Sequence, residues 1–261
     1  MSDLFVGDIL QQWGAGVADI PICDARTLET KLQYLSFAQA GRWCAIDGAF
    51  GEECRVLVPV DSSEAAGRVV IRRLSGARQT AVTIVILKPI GSVAIGIGGV
   101  AARIFLGHFG YDFKAQINTW RDPTVCIGDR ATCNGATIVA DDADIVIGRD
   151  CMLSDQVVLQ SHDQHGIVDL GAMRIANAGR HHLRLGEHVW LGRRAMVMPN
   201  VTIGAGSIVS AGAIVTHDVP PLAVAAGVPA RVVRSNVTWS RDPVRIDAQA
   251  QRFIEGLDDH A

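Results

Sequence analysis

Ser161, His162, Asp163, Gln164 and His165 follow one another in the segment SHDQHGI. An imidazole with an unperturbed pKa of about 6.5 can take or give a proton near neutrality. A neighbouring carboxylate can fix its tautomer or contact a substrate. Acid–base chemistry at His165, with Asp163 beside it, is the first reading; a corner histidine closing a loop is the plainer one. His162, His165, His181, His182 and His188 together also raise the question of a metal site. The segment lies where the surrounding pattern fails, and departures from local rules concentrate at functional sites.

That pattern is a repeat. Aliphatic or small apolar residues recur every six positions at Ile127, Cys133 and Val139, and at Ile147, Leu153 and Leu159. They resume at Leu185, Leu191, Val197, Ile203, Val209 and Val215. Small or β-branched residues follow four places after most of them, among them Ala131, Thr137, Ala143, Cys151, Ala195, Ser207 and Ala213. A period of six is neither helical nor that of a plain strand. It fits a triangular coil with short strands as faces and turns as corners, successive coils stacking about 4.8 Å apart. The expected fold is therefore all-β, a parallel β-helix. Two surplus residues at DDAD predict a small bulge, and the long gap between Leu159 and Leu185 predicts an extruded loop. Asp163 takes a small residue's place at a corner and His165 that of an inward aliphatic. If the loop leaves the prism after His165, that residue lies one coil below Leu191, beside Trp190.

Composition agrees. The chain has 261 residues, 49% hydrophobic but only 5% aromatic, with 27 glycines. It is long enough for a substantial core and too apolar to be disordered. A net charge of −3 argues against a general nucleic-acid or anionic-membrane binder. The apolar stretch between Lys88 and Arg103 is too short and too interrupted to span a bilayer. No secretory signal is apparent at MSDLFVGDIL, and six cysteines without a CxxC pair fit a reduced, cytoplasmic protein. DARTLETKLQYLSFAQAGRW predicts one helix, with Leu28, Leu32 and Leu35 on a face. VTIVIL, SVAIGIGG and ARIFLG read as a β-rich continuation of irregular coils, and DPVRIDAQAQRFIEGLDD as a short helix ending near Gly256. The expected divisions are an N-terminal portion (1–120), a hexapeptide domain (121–234) and a helical tail (235–261).

SHDQHGI, EHVWLGRRAMVMPNVTIGAGSIVSAGAIVTHDVPP and AVAAGVPARVVR resemble the active-site stretch of hexapeptide-repeat O-acetyltransferases, in particular those acting on sugars and polysaccharides. Ser161, Asp163 and His165 match the family's [ST]-x-D-x-H signature, and Val189 to Gly192 its V-W-[IL]-G. The resemblance covers roughly residues 121 to 234. It implies a left-handed β-helix, a homotrimer with active sites between subunits, acetyl-CoA as acyl donor, a sugar or glycan acceptor and no metal.

Acetyl transfer to a hydroxyl needs a base, which the resemblance assigns to His165 and which typically contributes ~10²–10⁴ in rate. The developing oxyanion needs a fixed donor. The resemblance gives that role to the backbone N–H of Arg193, after Gly192, with Trp190 shaping the site. Arg193, Ala211 and Pro229 are eighteen residues apart and so predict one stacked groove for the pantetheine arm, with Ala211 and Gly212 permitting close approach. Arg231 and Arg234 match positions that contact the nucleotide end. Thr216-His217 stands where relatives often carry Thr-Lys. Asn134 and Asp142 are acceptor-side candidates by the same resemblance, and Arg174 in the extruded loop is another. Other readings remain: an N-acetyltransferase for an amino sugar or antibiotic, a non-catalytic β-helix scaffold, and a metalloenzyme like the γ-type carbonic anhydrases. For the last, the histidines lack the coil-related spacing its ligands need.

Overall fold

The structure is a computed structural model and describes residues 3–14, 20–62, 67–74, 81–109 and 111–258. The chain winds as a β-solenoid of about eight turns. Its first face runs from Arg55–Pro59 through Ala81–Lys88, Ala101–His108, Thr124–Ile127, Ala143–Ile147 and His181–Leu185 to Val201–Ile203, each strand parallel to the next. The second runs from Ala45–Asp47 through Arg68–Arg73, Gly91–Ile97 and Phe113–Trp120 to Thr132–Asp141. At Thr132–Asp141 the cross-section changes. Residues 132–133 of that strand pair with Met152–Leu153 and residues 136–139 with Val157–Gln160, so two faces grow from one. The second face continues through Trp190–Leu191 and Ile208–Val209, and a third through Met196–Val197 and Ile214–Val215. The lower coils are thus two-sided and the upper ones triangular.

Burial follows the six-residue period. Ile127, Cys133, Ile147, Leu153, Leu159, Leu185, Leu191, Val197, Ile203, Val209 and Val215 all point into the core. Val139 is the exception: Ile138 is fully buried in its place and pairs with Leu159. The reason lies at the preceding corner. Thr132 is level with Met152 but Ala136 with Val157, so the lower coil is one residue shorter there and the inward set slips by one. The irregularity therefore begins before the DDAD segment that the sequence singles out. Arg130, Asp150 and His188 occupy left-handed backbone at φ 57°, 59° and 56°, and Gly206 completes that corner at 71°.

One cluster of buried side chains extends from Phe37 to Ala230, crossing residue 120 without interruption. The helix expected around Leu28, Leu32 and Leu35 is mostly absent. Only Ala25–Leu28 is α-helical, with a single 3-10 turn at Ala40–Arg42; Lys31–Ser36 is a strand, antiparallel to both Leu4–Phe5 and Arg55–Pro59. The first face would otherwise end in a row of unpaired N–H and C=O groups at Arg55–Pro59, and pairing there outweighs a weak helical preference. A helix at Val6–Gln12, not anticipated from the sequence, buries Val6, Ile9 and Leu10 against Leu57, Val85, Phe105, Cys126 and Val146.

At the other end, the antiparallel pair Ala223–Gly227 and Ala230–Ser235 follows the last coil, and the tail returns as the helix Ala248–Asp258. Asp247 starts that helix by accepting the N–H groups of Gln249 (2.7 Å) and Ala250 (3.0 Å). His188, fully buried, stacks on Trp239 and Phe253, with its ring nitrogens on Asp150 Oδ2 (2.7 Å) and the Trp239 carbonyl (2.9 Å). Among the described residues no helix is long and apolar enough to cross a membrane.

Candidate active site

The extruded loop leaves the prism at the corner between the third and first faces, after Val157–Gln160, and rejoins it at His181–Leu185. Ser161 and His162 are still buried; Asp163 through Val168 are exposed. The loop therefore departs at His162, earlier than expected, and His165 is not an inward residue. Within it, Val168–Asp169 and Arg174–Ile175 form a short hairpin.

A cleft of about 510 Å³ opens where the loop folds back on the coil beneath, lined by Trp120, Arg121, Asp141, His162, Gln164, His165, Ile175 and Asn177 among others. Asp141 is buried, accepts Arg121 Nε at 2.6 Å through Oδ1, and gives its own N–H to Ser161 Oγ at 3.1 Å. The carboxylate raises the pKa of the Arg121 guanidinium above its ordinary value, chiefly through this hydrogen bond. His162 lies with Nδ1 3.9 Å from Asp141 Oδ2 and its ring edge-on to His181, centroids 4.9 Å apart. Its Nδ1 accepts the Gln164 N–H at 2.8 Å, so the lone pair on that nitrogen is engaged in shaping the turn.

His165 differs. It is exposed, lines the cleft, and its imidazole has no hydrogen bond among the described residues. Asp163 does not orient it. The Asp163 carboxylate instead receives Asn177 Nδ2 at 3.2 Å, while the same amide donates to the His165 carbonyl at 2.9 Å and accepts the Ile167 N–H at 2.8 Å. Asn177 thus ties together both arms of the loop. Asp163 belongs to that tie because its carboxylate reaches Asn177 on the other arm of the loop.

The other expected residues fall elsewhere. Trp190 is on the second face, level with Met152 and Ile208, and donates Nε1–H to Ser154 Oγ at 3.2 Å. It does not line the cleft of its own chain. Gly192, Arg193, Ala211 and Gly212 stack at the corner between the second and third faces, where Gly212 N–H donates to the Arg193 carbonyl at 2.8 Å. A side chain at Gly192 would meet the Ala211 nitrogen at 2.7 Å, so the close approach there requires glycine. The N–H groups of Arg193 and Ala211 have no backbone partner among the described residues. Pro229 does not continue this stack. Val209 is level with Ala225, two residues short of an eighteen-residue step, which brings Gly227 above Ala211 and leaves Pro229, after a cis bond to Val228, in the turn of the terminal hairpin. Arg231 and Arg234 are exposed on that hairpin. Thr216 follows the third face, its hydroxyl 2.9 Å from His217 Nδ1.

Asn134 sits at the corner after the second face, away from the histidines. Asp142 shares their corner but is engaged by Arg180 (3.3 Å), and Arg174 stands on the outer hairpin, outside the cleft lining. Trp120, Arg121 and Asn177 carry no sequence signal of a site role, and Asp141 stands out only as the first residue of the DDAD segment, where an acidic run interrupts an apolar one. Among the described residues no three His, Cys, Asp or Glu converge as metal ligands.

Residues 182–217 match the sequence-family model described as bacterial transferase hexapeptide (six repeats). The chain is similar to a polysialic acid O-acetyltransferase of Escherichia coli O1:K1 / APEC, 35% identical over 51% of this chain and 44% of the relative. It is also similar to the galactoside O-acetyltransferase of Escherichia coli K12, 33% identical over 45% of this chain and 61% of the relative. The chain thus spans about half the length of these curated relatives. The crystal structure of the polySia-specific acetyltransferase NeuO superposes with a TM-score of 0.56 at 24% identity, covering 82% of this chain and 93% of that one. The polysialic acid O-acetyltransferase OatWY gives 0.54 at 18% identity, over 82% and 95%. These likenesses establish the fold as a left-handed β-helix.

Proposed function

We propose that this hexapeptide-repeat chain transfers an acetyl group from acetyl-CoA to a hydroxyl of a sugar, glycan or glycan precursor. The observation that carries the reading is His165: an unengaged imidazole held on a stapled loop, over a cleft, where an otherwise regular prism is broken. His165 takes the hydroxyl proton as the oxygen attacks the thioester carbonyl carbon. The resulting oxyanion is met by the Arg193 main-chain N–H. The C–S bond then breaks, the acetyl ester remains on the sugar, and the imidazolium returns its proton to the departing thiolate.

Within one chain these groups lie on two corners of the prism, flanking the third face. We therefore place the reaction between copies of a homotrimer, one supplying the His165 cleft and its neighbour Trp190, Gly192 and Arg193. The neighbour's Ala211 and Gly212 would line the pantetheine path. Arg231 and Arg234 supply exposed cations near the end of the corner stack, suited to the nucleotide phosphates. Asn134, Asp142, Thr216, Pro229 and Arg174 are secondary contacts in this scheme. All six cysteines are buried, which fits a cytoplasmic location.

The test is thiol release from acetyl-CoA over a panel of sugar acceptors. His165→Ala is expected to lose on the order of 10²–10⁴ in kcat. Equal turnover by the variant and the parent would remove His165 as the base.

A further inference from the structure

We infer that the acceptor is a chain of sugar units laid along the strand Phe113–Trp120, with its reacting unit in the His165 cleft; this rests on the acetyl-transfer reading. Successive side chains of a strand face opposite ways. Phe113, Ala115, Ile117 and Thr119 are buried, whereas Lys114, Gln116, Asn118 and Trp120 point outward. The outward row is thus one cation, two amides and an indole. On the rung above, Thr137 and Val139 stand level with Gln116 and Asn118 and carry shorter side chains. Gln116 Nε2 donates to Asn118 Oδ1 at 3.2 Å, so the two amides hold each other in place. A Cβ at Gly96 would come 2.9 Å from Asn118 Oδ1, and one at Gly98 2.5 Å from Trp120 Nε1, so both side chains lie over the rung beneath.

Each end of this row opens into a cavity. Trp120 lines the cleft of about 510 Å³ that holds His165. At the far end Lys114 and Gln116 line a second cavity of about 580 Å³, together with Ser92, Thr137, Asp155 and Gln156. That cavity lies where the second face divides. The pairing slips between Cys133 and Ala136, and Gly135 passes so close to Asp155 that a Cβ there would be 2.7 Å from Oδ1. At ~3.3 Å per residue the row from Lys114 to Trp120 is about 20 Å long, more than one sugar ring can bridge. A linear glycan can occupy both cavities at once. Its hydroxyls meet the Gln116 and Asn118 amides, which donate and accept, and an apolar C–H face meets the Trp120 indole. Amides serve neutral and acidic sugars alike, so the row selects for chain length and not for charge.

The experiment measures thiol release from acetyl-CoA by the full chain with linear oligomers of glucose, of galacturonic acid and of sialic acid, each from the single sugar to chains longer than the row. In the series that is turned over, kcat/KM is expected to rise with chain length by about tenfold or more. The double variant Gln116→Ala, Asn118→Ala should cut that advantage to about twofold. The readout is the ratio of long to short acceptor, which a general loss of structure would leave unchanged because it lowers both. Ser92→Trp, which fills the far cavity, should penalise only the longest chains. A single sugar acetylated as well as its oligomers would overturn the inference and leave acetyl transfer standing. So would a length advantage that survives in both variants, or no oligomer used by a chain that acetyl-CoA stabilises against heat. No thiol release with any acceptor and no thermal stabilisation by acetyl-CoA would overturn the transferase reading itself, and the inference with it.

Discussion

The two histidines of SHDQHGI separate chemistry from structure. His162 is buried and its Nδ1 accepts the Gln164 N–H, whereas the His165 ring is exposed and unengaged. His162→Ala removes a buried ring packed edge-on against His181 together with the acceptor of the Gln164 N–H, at a cost of about 0.5–3 kcal/mol, and is expected to lower the melting temperature measurably. His165→Ala removes no such contact and should melt with the parent while losing turnover. Calorimetry on the two variants beside the rate assay checks this, and a shared drop in stability would show that both rings are structural. The sequence draws attention to this segment because the six-residue pattern fails there. It could not reveal that Trp120, Arg121 and Asp141 complete the cleft. Which residues stack across coils depends on coil length, and Ile117 is level with Ile138, and Ile138 with Leu159, by steps longer than the eighteen of the upper coils.

Where an element was misread, tertiary pairing had outweighed local preference. The leucines of the expected N-terminal helix suit a helical face, yet most of that segment is a strand closing the open end of the first face. Lys31–Ser36 gains main-chain hydrogen bonds that no local pattern announces. The terminal helix was legible because its start signal is local. Asp247 carries the cap. Burial alone would raise its pKa, but hydrogen bonds from the Ala250, Arg241 and Gln249 N–H groups and the Ser240 hydroxyl outweigh that and hold it well below the usual carboxylate value. A carboxylate with a depressed folded pKa stabilises fully above its unfolded pKa, and the contribution is lost as pH falls through the folded value. The tail should therefore loosen below about pH 4 in the parent. Asp247→Asn should be less stable at pH 7 and show a weaker acid dependence, read from the fluorescence of Trp239, whose ring the tail holds against His188. A parent and variant with parallel acid profiles would contradict this. The same tail sets Trp239 6.1 Å from Trp190, so loosening it should also disturb the second-face corner.

At the scale of the whole molecule, the six-residue period gave the solenoid because it reports an interior that repeats, and one apolar core does run from end to end. That core also holds thiols. Burial pushes Cys44, Cys133 and Cys151 up to about 12, and Cys23 and Cys126 higher still. For groups whose folded pKa is raised, the stabilisation is complete below the unfolded value near 9 and declines as pH climbs toward the folded one. Melting temperature should accordingly fall between pH 9 and 12, and a thiol reagent should find little to label until the chain unfolds.

The period carries no information about how solenoids pack side by side, and the placement of the candidate groups depends on that packing. His165 and Arg193 stand on opposite corners of the third face, and the cleft around His165 does not include the Trp190 of its own chain. If each site is completed by a neighbour, His165→Ala and Trp190→Ala homotrimers are both inactive for different reasons. Subunits exchanged between them form some sites from an intact cleft and an intact second-face corner. Random mixing at equal amounts should then recover roughly a quarter of parental activity, since each half of a site is intact half the time. Activity should appear only after subunit exchange, not on simple mixing of stable assemblies. If the two inactive variants, fully exchanged, stay inactive, each chain builds its site alone, and the two corners must be bridged by a movement within one copy.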